Sequence, residues 1–112
     1  MQQYTLDPKA LLGGIIVEDN DQQIVHLALQ NDNEIPPYQT VAIVLLIVLG
    51  GRAQITTEKE SLETHGLQVV RLAPDETHSI RALEDQTTIL VIKQLTHELT
   101  LSKKLRFGQC CL

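Results

Sequence analysis

With 112 residues, a formal net charge of −5 and no clustered run of lysine and arginine, the chain has room for one core and lacks the cationic surface that phosphate neutralisation requires, so nucleic acid is not an expected partner. Its 43 % apolar residues include no Trp, one Phe and two Tyr, so Val, Ile and Leu must fill the interior, a bias that favours pleated sheet. The two cysteines, Cys110 and Cys111, are adjacent and cannot form the multi-bridge framework of small secreted domains. Met1–Tyr4 does not read as a signal peptide, and the apolar run Val41 to Leu49 is about half the ~20 residues of a spanning helix. A cytoplasmic protein with no membrane partner is expected.

In chain order, Asp7-Pro8-Lys9-Ala10-Leu11-Leu12 predicts one short helical turn, with Asp7 as cap and Pro8 at the first helical position, ended by Gly13-Gly14. Seven strand-like segments follow: Ile15–Glu18, Gln23–Gln30, Val41–Leu49, Arg52–Thr57, Leu67–Leu72, His78–Leu83 and Thr87–Gln94. Turn chemistry separates them at Asp19-Asn20-Asp21, Asn31-Asp32-Asn33, Pro36-Pro37, Pro74-Asp75-Glu76 and Glu84-Asp85. Gly50-Gly51 marks a tight hairpin, and Glu58, Glu60 and Glu63 belong to a solvated acidic loop. The next helix-like period is at Gln94–Lys104, before a solvated tail with Lys103, Lys104 and Arg106. Many short strands with regular turns predict a single all-β domain over 1–112, with its core in about 13–94. Val41–Leu49 is apolar on both of its faces, so one face fills the core and the other meets further structure; a twofold homodimer is the expected arrangement.

Two stretches carry more specific information. The first is Ile35-Pro36-Pro37-Tyr38-Gln39-Thr40, the strand Val41–Leu49, then Gly50-Gly51-Arg52-Ala53-Gln54-Ile55. The second runs from Leu67–Leu72 through Ala73-Pro74-Asp75-Glu76-Thr77-His78-Ser79-Ile80-Arg81-Ala82-Leu83-Glu84-Asp85 into Thr87–Lys93. Together they resemble the small, single-domain, RmlC-like members of the cupin family. The resemblance implies a double-stranded β-helix, a jelly-roll barrel of two antiparallel sheets. Metal-binding cupins carry two His separated by one residue and then a Glu in the first motif, and a further His in the second. Here Tyr38 and Thr40 fall at the two His positions, Val44 falls at the Glu position, and only His78 remains. One imidazole, a phenol, a neutral hydroxyl and a valine are a poor donor set for a divalent ion. No metal cofactor is expected, with an ion at His78 as the alternative.

If the barrel forms as the resemblance implies, Tyr38, Thr40, Ala42, Val44, Leu46, His78, Ile80 and Ala82 line its interior, and ligand contact is expected at His78, Tyr38, Thr40, Val44, Leu46 and Ile80. His78 is either a ligand contact or a core histidine satisfied by a backbone carbonyl. Tyr38 either donates to a ligand or to His78, or caps the pocket against water. His26, His65 and His97 form no ligand-spaced pair, and no nucleophile motif or glycine-rich phosphate loop is present. The expected function is a metal-free module binding a small molecule. The alternative is an enzyme, either a metal-dependent cupin with irregular ligands or a metal-free isomerase or epimerase using Tyr38 and His78 as acid and base. Few charges fall on the expected inward positions, which disfavours the enzyme.

Overall fold

Alternating branched aliphatics build nine strands in the computed structural model, which describes residues 1–7, 9 and 12–95. They are β1 (Gly14–Glu18), β2 (Gln22–Leu29), β3 (Glu34–Tyr38), β4 (Ile43–Gly50), β5 (Arg52–Thr57), β6 (Ser61–His65), β7 (Gln68–Leu72), β8 (His78–Ala82) and β9 (Thr87–Gln94). Antiparallel pairing gives a five-stranded sheet, β1-β2-β9-β4-β7, and a four-stranded sheet, β3-β8-β5-β6. The all-β double-stranded arrangement implied by the sequence is present. Only the β1–β2 and β5–β6 connections stay within a sheet; every other connection crosses from one sheet to the other.

Period-2 alternation decides what enters the space between the sheets. On β4, Val44, Leu46 and Val48 point inward and are 0 % exposed, opposite Lys93, Val91 and Ile89 of β9. Ile43, Leu45 and Ile47 form the outward face of the same strand and are half-buried, while Leu49 is exposed. Leu29, Ala53, Ile55, Leu72, Ile80 and Ala82 complete the buried cluster. Each large aliphatic removed from water there contributes about 1.5–3 kcal/mol of transfer free energy.

The structure corrects three local expectations. Pro36 and Pro37 do not interrupt the sheet; they lie within β3, an edge strand that pairs only with β8, where a missing N–H costs no ladder bond. The acidic segment after Glu60 is also a strand: β6 is the opposite edge of the same sheet, and its Glu63 is paired to Arg52 at 2.9 Å rather than free in a loop. Gly50-Gly51 is not a hairpin within a sheet, because β4 and β5 belong to different sheets and the chain changes sheet there. The short helical turn expected at Asp7–Leu12 lies largely outside the described residues; the Asp7 carboxylate accepts the Lys9 N–H at 2.9 Å. The helix expected from Gln94, His97, and Cys110 and Cys111 lie wholly or largely outside the described residues. Within those residues no helix is long and apolar enough to cross a membrane.

Candidate functional site

The site begins with an irregularity. Ile35 pairs with Ile80 and Tyr38 with His78, so three steps along β3 match two along β8. In a regular strand, residues three apart point to opposite faces. The extra residue at Pro36-Pro37 forms a β-bulge and turns Tyr38 to the same inward side as Ile35. Tyr38 and His78 then meet with ring centroids 4.3 Å apart and planes tilted by 58°. On β9 the alternation that sends Ile89 and Val91 inward also sends Lys93 inward, and its Nζ stands 5.1 Å from the centroid of the Tyr38 ring, within range of a cation–π contact.

A cavity of 280 Å³ lies between the sheets beside these groups, lined by Val25, Leu27, Ile35, Tyr38, Ile80, Val91 and Lys93. It lies on the β2–β3 side of the barrel. There Val25, Leu27 and Ile35 are only partly buried, whereas the β4–β5 side is closed by Val44, Leu46, Val48 and Ile55 at 0–2 % exposure.

His78 is 1 % exposed. Its Nδ1–H donates to the Glu76 carbonyl at 3.1 Å, which leaves Nε2 as the lone-pair nitrogen, and that atom is buried with no hydrogen-bond partner among the described residues. Burial pulls the His78 pKa below its ordinary value of 6.5; the Glu76 carbonyl opposes the shift and the Lys93 charge adds to it. Burial likewise raises the Tyr38 phenol above 10.0 and lowers the Lys93 ammonium below 10.5. Tyr38 and Lys93 line the cavity, whereas His78 stands behind the Tyr38 ring and borders a separate recess with Pro37, Thr57 and Thr77.

The lowered His78 pKa makes stability depend on pH in a known direction. The folded chain binds the His78 proton less readily than the unfolded chain. This contribution therefore leaves stability unaffected above about pH 6.5 and reduces it as pH falls towards the folded pKa, below which the loss levels off. Urea denaturation of wild type and His78→Gln between pH 5 and pH 8 is expected to show a shallower acid decline in the variant. Equal slopes would contradict the assignment.

The ligand contacts expected from sequence separate into two groups. Tyr38 and Ile80 border the cavity, and His78 stacks against Tyr38. Val44 and Leu46 point between the sheets but are fully packed on the β4 side and do not border it. Ala42 and Ala82 are buried core, and Thr40 acts in a turn: its Oγ1 accepts the Ala42 N–H at 3.3 Å and its carbonyl accepts the Asp75 N–H at 2.7 Å. Sequence reading missed Lys93, Val25, Leu27, Ile35 and Val91. For Lys93 the signal was available, since it follows Ile89 and Val91 in strict alternation. His26 is also buried, on the face of β2 turned away from Val25 and Leu27, and its Nε2 has no hydrogen-bond partner among the described residues.

The architecture matches solved structures at length. An RmlC-like protein with a double-stranded β-helix from Methanocaldococcus jannaschii superposes with a TM-score of 0.76 and 20 % identity, over 93 % of this chain and 93 % of that one. The fold is that of a small cupin. The cupin domain of Cnp3 from Schizosaccharomyces pombe gives 0.75 at 16 % identity, over 93 % of this chain and 74 % of that domain's chain. A cupin protein from Bacteroides fragilis gives 0.73 at 19 %, over 88 % and 86 %. At these identities the likeness is one of fold. No protein-family model matches the sequence, and no curated protein matches it.

Many cupin barrels hold a metal at the positions occupied here by Tyr38, Thr40, Val44 and His78, and these residues do not fit one. Val44 is aliphatic, Thr40 Oγ1 serves a turn, and the Tyr38 phenol is held protonated by burial. The Lys93 charge, over the Tyr38 ring, already disfavours a proton on His78 and would likewise oppose a cation there. Among the described residues no three His, Cys, Asp or Glu side chains converge. A dication there would lose its hydration for one imidazole.

Proposed function

We propose that this cupin barrel is a metal-free binding module for a small molecule with an apolar body and a polar end. The observation that carries the reading is the cavity on the β2–β3 side, aliphatic along Val25, Leu27, Ile35, Ile80 and Val91 and polar where Lys93 stands over the Tyr38 ring. An apolar recess with a few convergent polar groups is the general form of a small-molecule site. At 280 Å³ it lies just under the usual range of about 300–1,000 Å³, which favours a compact ligand.

A thermal-shift screen of dialysed protein tests this reading. A ligand at a hundred times its Kd is expected to stabilise wild type by about 2.7 kcal/mol, and to stabilise Tyr38→Phe and Val91→Phe less. Equal stabilisation of all three would place binding elsewhere. Elemental analysis of the same protein is expected to find no stoichiometric transition metal; about one ion per chain, lost on His78→Ala, would overturn the metal-free part.

One observation favours a second reading. Burial holds Tyr38 as an acid and His78 as a base, in contact with each other, which are the protonation states a metal-free isomerase or epimerase needs. Incorporation of solvent deuterium into a carbon position of the bound ligand would support catalysis; binding without exchange supports the module.

A further inference from the structure

Among the described residues Lys93 is the one charged side chain on the cavity wall, and it is half-buried. The ion pairs among the described residues employ Arg52 and Arg81, with Glu63, Glu84 and Asp32, and none of these residues' carboxylates stands within 4.0 Å of Lys93. Its ammonium stands over the face of Tyr38, a weaker partner than an anion. Among the described residues no acidic side chain lines the cavity, so an entering anion meets no repulsion from them.

We propose that the cavity binds a small monocarboxylate, with the carboxylate on Lys93 Nζ and the apolar body along Val25, Leu27, Ile35, Ile80 and Val91. The inference rests on the small-molecule reading above and names the chemical class of its ligand. A carboxylate supplies the negative charge that the buried ammonium lacks, through a charge-assisted hydrogen bond. The Tyr38 phenol, kept protonated by burial, is available as a second donor to the same group. The site favours one negative charge over two. A phosphate dianion is normally met by an arginine fork or a nest of backbone N–H groups, whereas this cavity offers one ammonium and a phenol. A dianion would remain half-neutralised among aliphatic side chains. The cavity volume restricts the body to a short branched or single-ring group.

The test uses matched pairs: isovalerate, benzoate and phenylacetate, each against its own primary amide, titrated into the full chain at pH 7.5 and followed by amide NMR shifts. At least one carboxylate is expected to bind about tenfold or more tightly than its amide, with shifts centred on β2, β3 and β9. In Lys93→Met, which keeps the length and apolar stem and whose spectrum reports whether it is folded, the carboxylate advantage is expected to vanish while amide binding persists. Amides that bind as well as their acids, or a carboxylate preference that survives in Lys93→Met, would overturn the monocarboxylate inference and leave the small-molecule reading standing. If no acid and no amide shifts these strands, both fall together.

Discussion

Replacing Leu46 with alanine is expected to lower stability by about 2–5 kcal/mol, with an unchanged dependence of unfolding free energy on urea concentration. Leu46 is 0 % exposed between Val70 of β7 and Val91 of β9, and it faces the four-stranded sheet within the buried cluster. Truncation removes its transfer free energy and leaves a void whose surroundings, being strand backbone held in two ladders, can close only partly. The loss is a large fraction of the 5–15 kcal/mol typical of a domain. Leu27→Ala is the internal comparison, the same chemistry at a partly buried position beside the existing cavity. Its cost is expected to be smaller by about 1 kcal/mol or more, since fewer contacts are lost there. Equal costs would show that the two sides of the barrel are packed alike and would count against the cavity.

Gly51→Ala is expected to be comparably damaging, for a backbone reason. Gly51 has φ +80° at the point where the chain leaves β4 and enters the other sheet. An alanine in that region costs roughly 1–2 kcal/mol before any contact is considered. Its Cβ would also stand 2.5 Å from Thr87 Oγ1 and 2.7 Å from Thr87 Cα. Thr87 cannot retreat: it is 0 % exposed, and its Oγ1 lies 2.8 Å from the Glu84 carbonyl and 3.2 Å from the Arg52 carbonyl. The combined cost is expected to reach about 3 kcal/mol or more, measured by the urea midpoint, with loss of the folded spectrum as the extreme outcome. A change below about 1 kcal/mol would contradict the described backbone. Gly50, where an added Cβ would meet nothing within 4 Å, serves as the control.

Local chemistry was enough to read much of this fold. Val41–Leu49 is apolar on both faces, so its inward residues Ala42, Val44 and Leu46 were named through the cupin resemblance and are buried, and the turn clusters around Asp19–Asp21 and Asn31–Asn33 bracket β2 as expected. β3 and β6 escaped because their tolerance of two prolines and of exposed acids comes from lying at sheet edges, a property of tertiary order that no local pattern encodes. The sheet switch at Gly51 was invisible for the same reason. At the site, the Tyr38–His78 contact was anticipated from motif spacing. The rest depended on where the two sheets separate: the cavity is set by β2 against β3, with β9 lying between β2 and the Val44–Leu46 strand that the motif points to. Lys93 was overlooked because a lysine at the end of an apolar strand usually marks its emergence into solvent.

The unequal filling of the barrel has an evolutionary consequence. Substitutions along β4 and β5 are selected against through the fold itself, because little there can change without unfolding the chain. Those at Val25, Leu27, Ile35 and Lys93 meet weaker selection of that kind, since these side chains border space and leave ladder pairing to their backbones. A lineage carrying this barrel could exchange the molecule it recognises by drift and selection on one flank, without first accumulating surplus stability on the other.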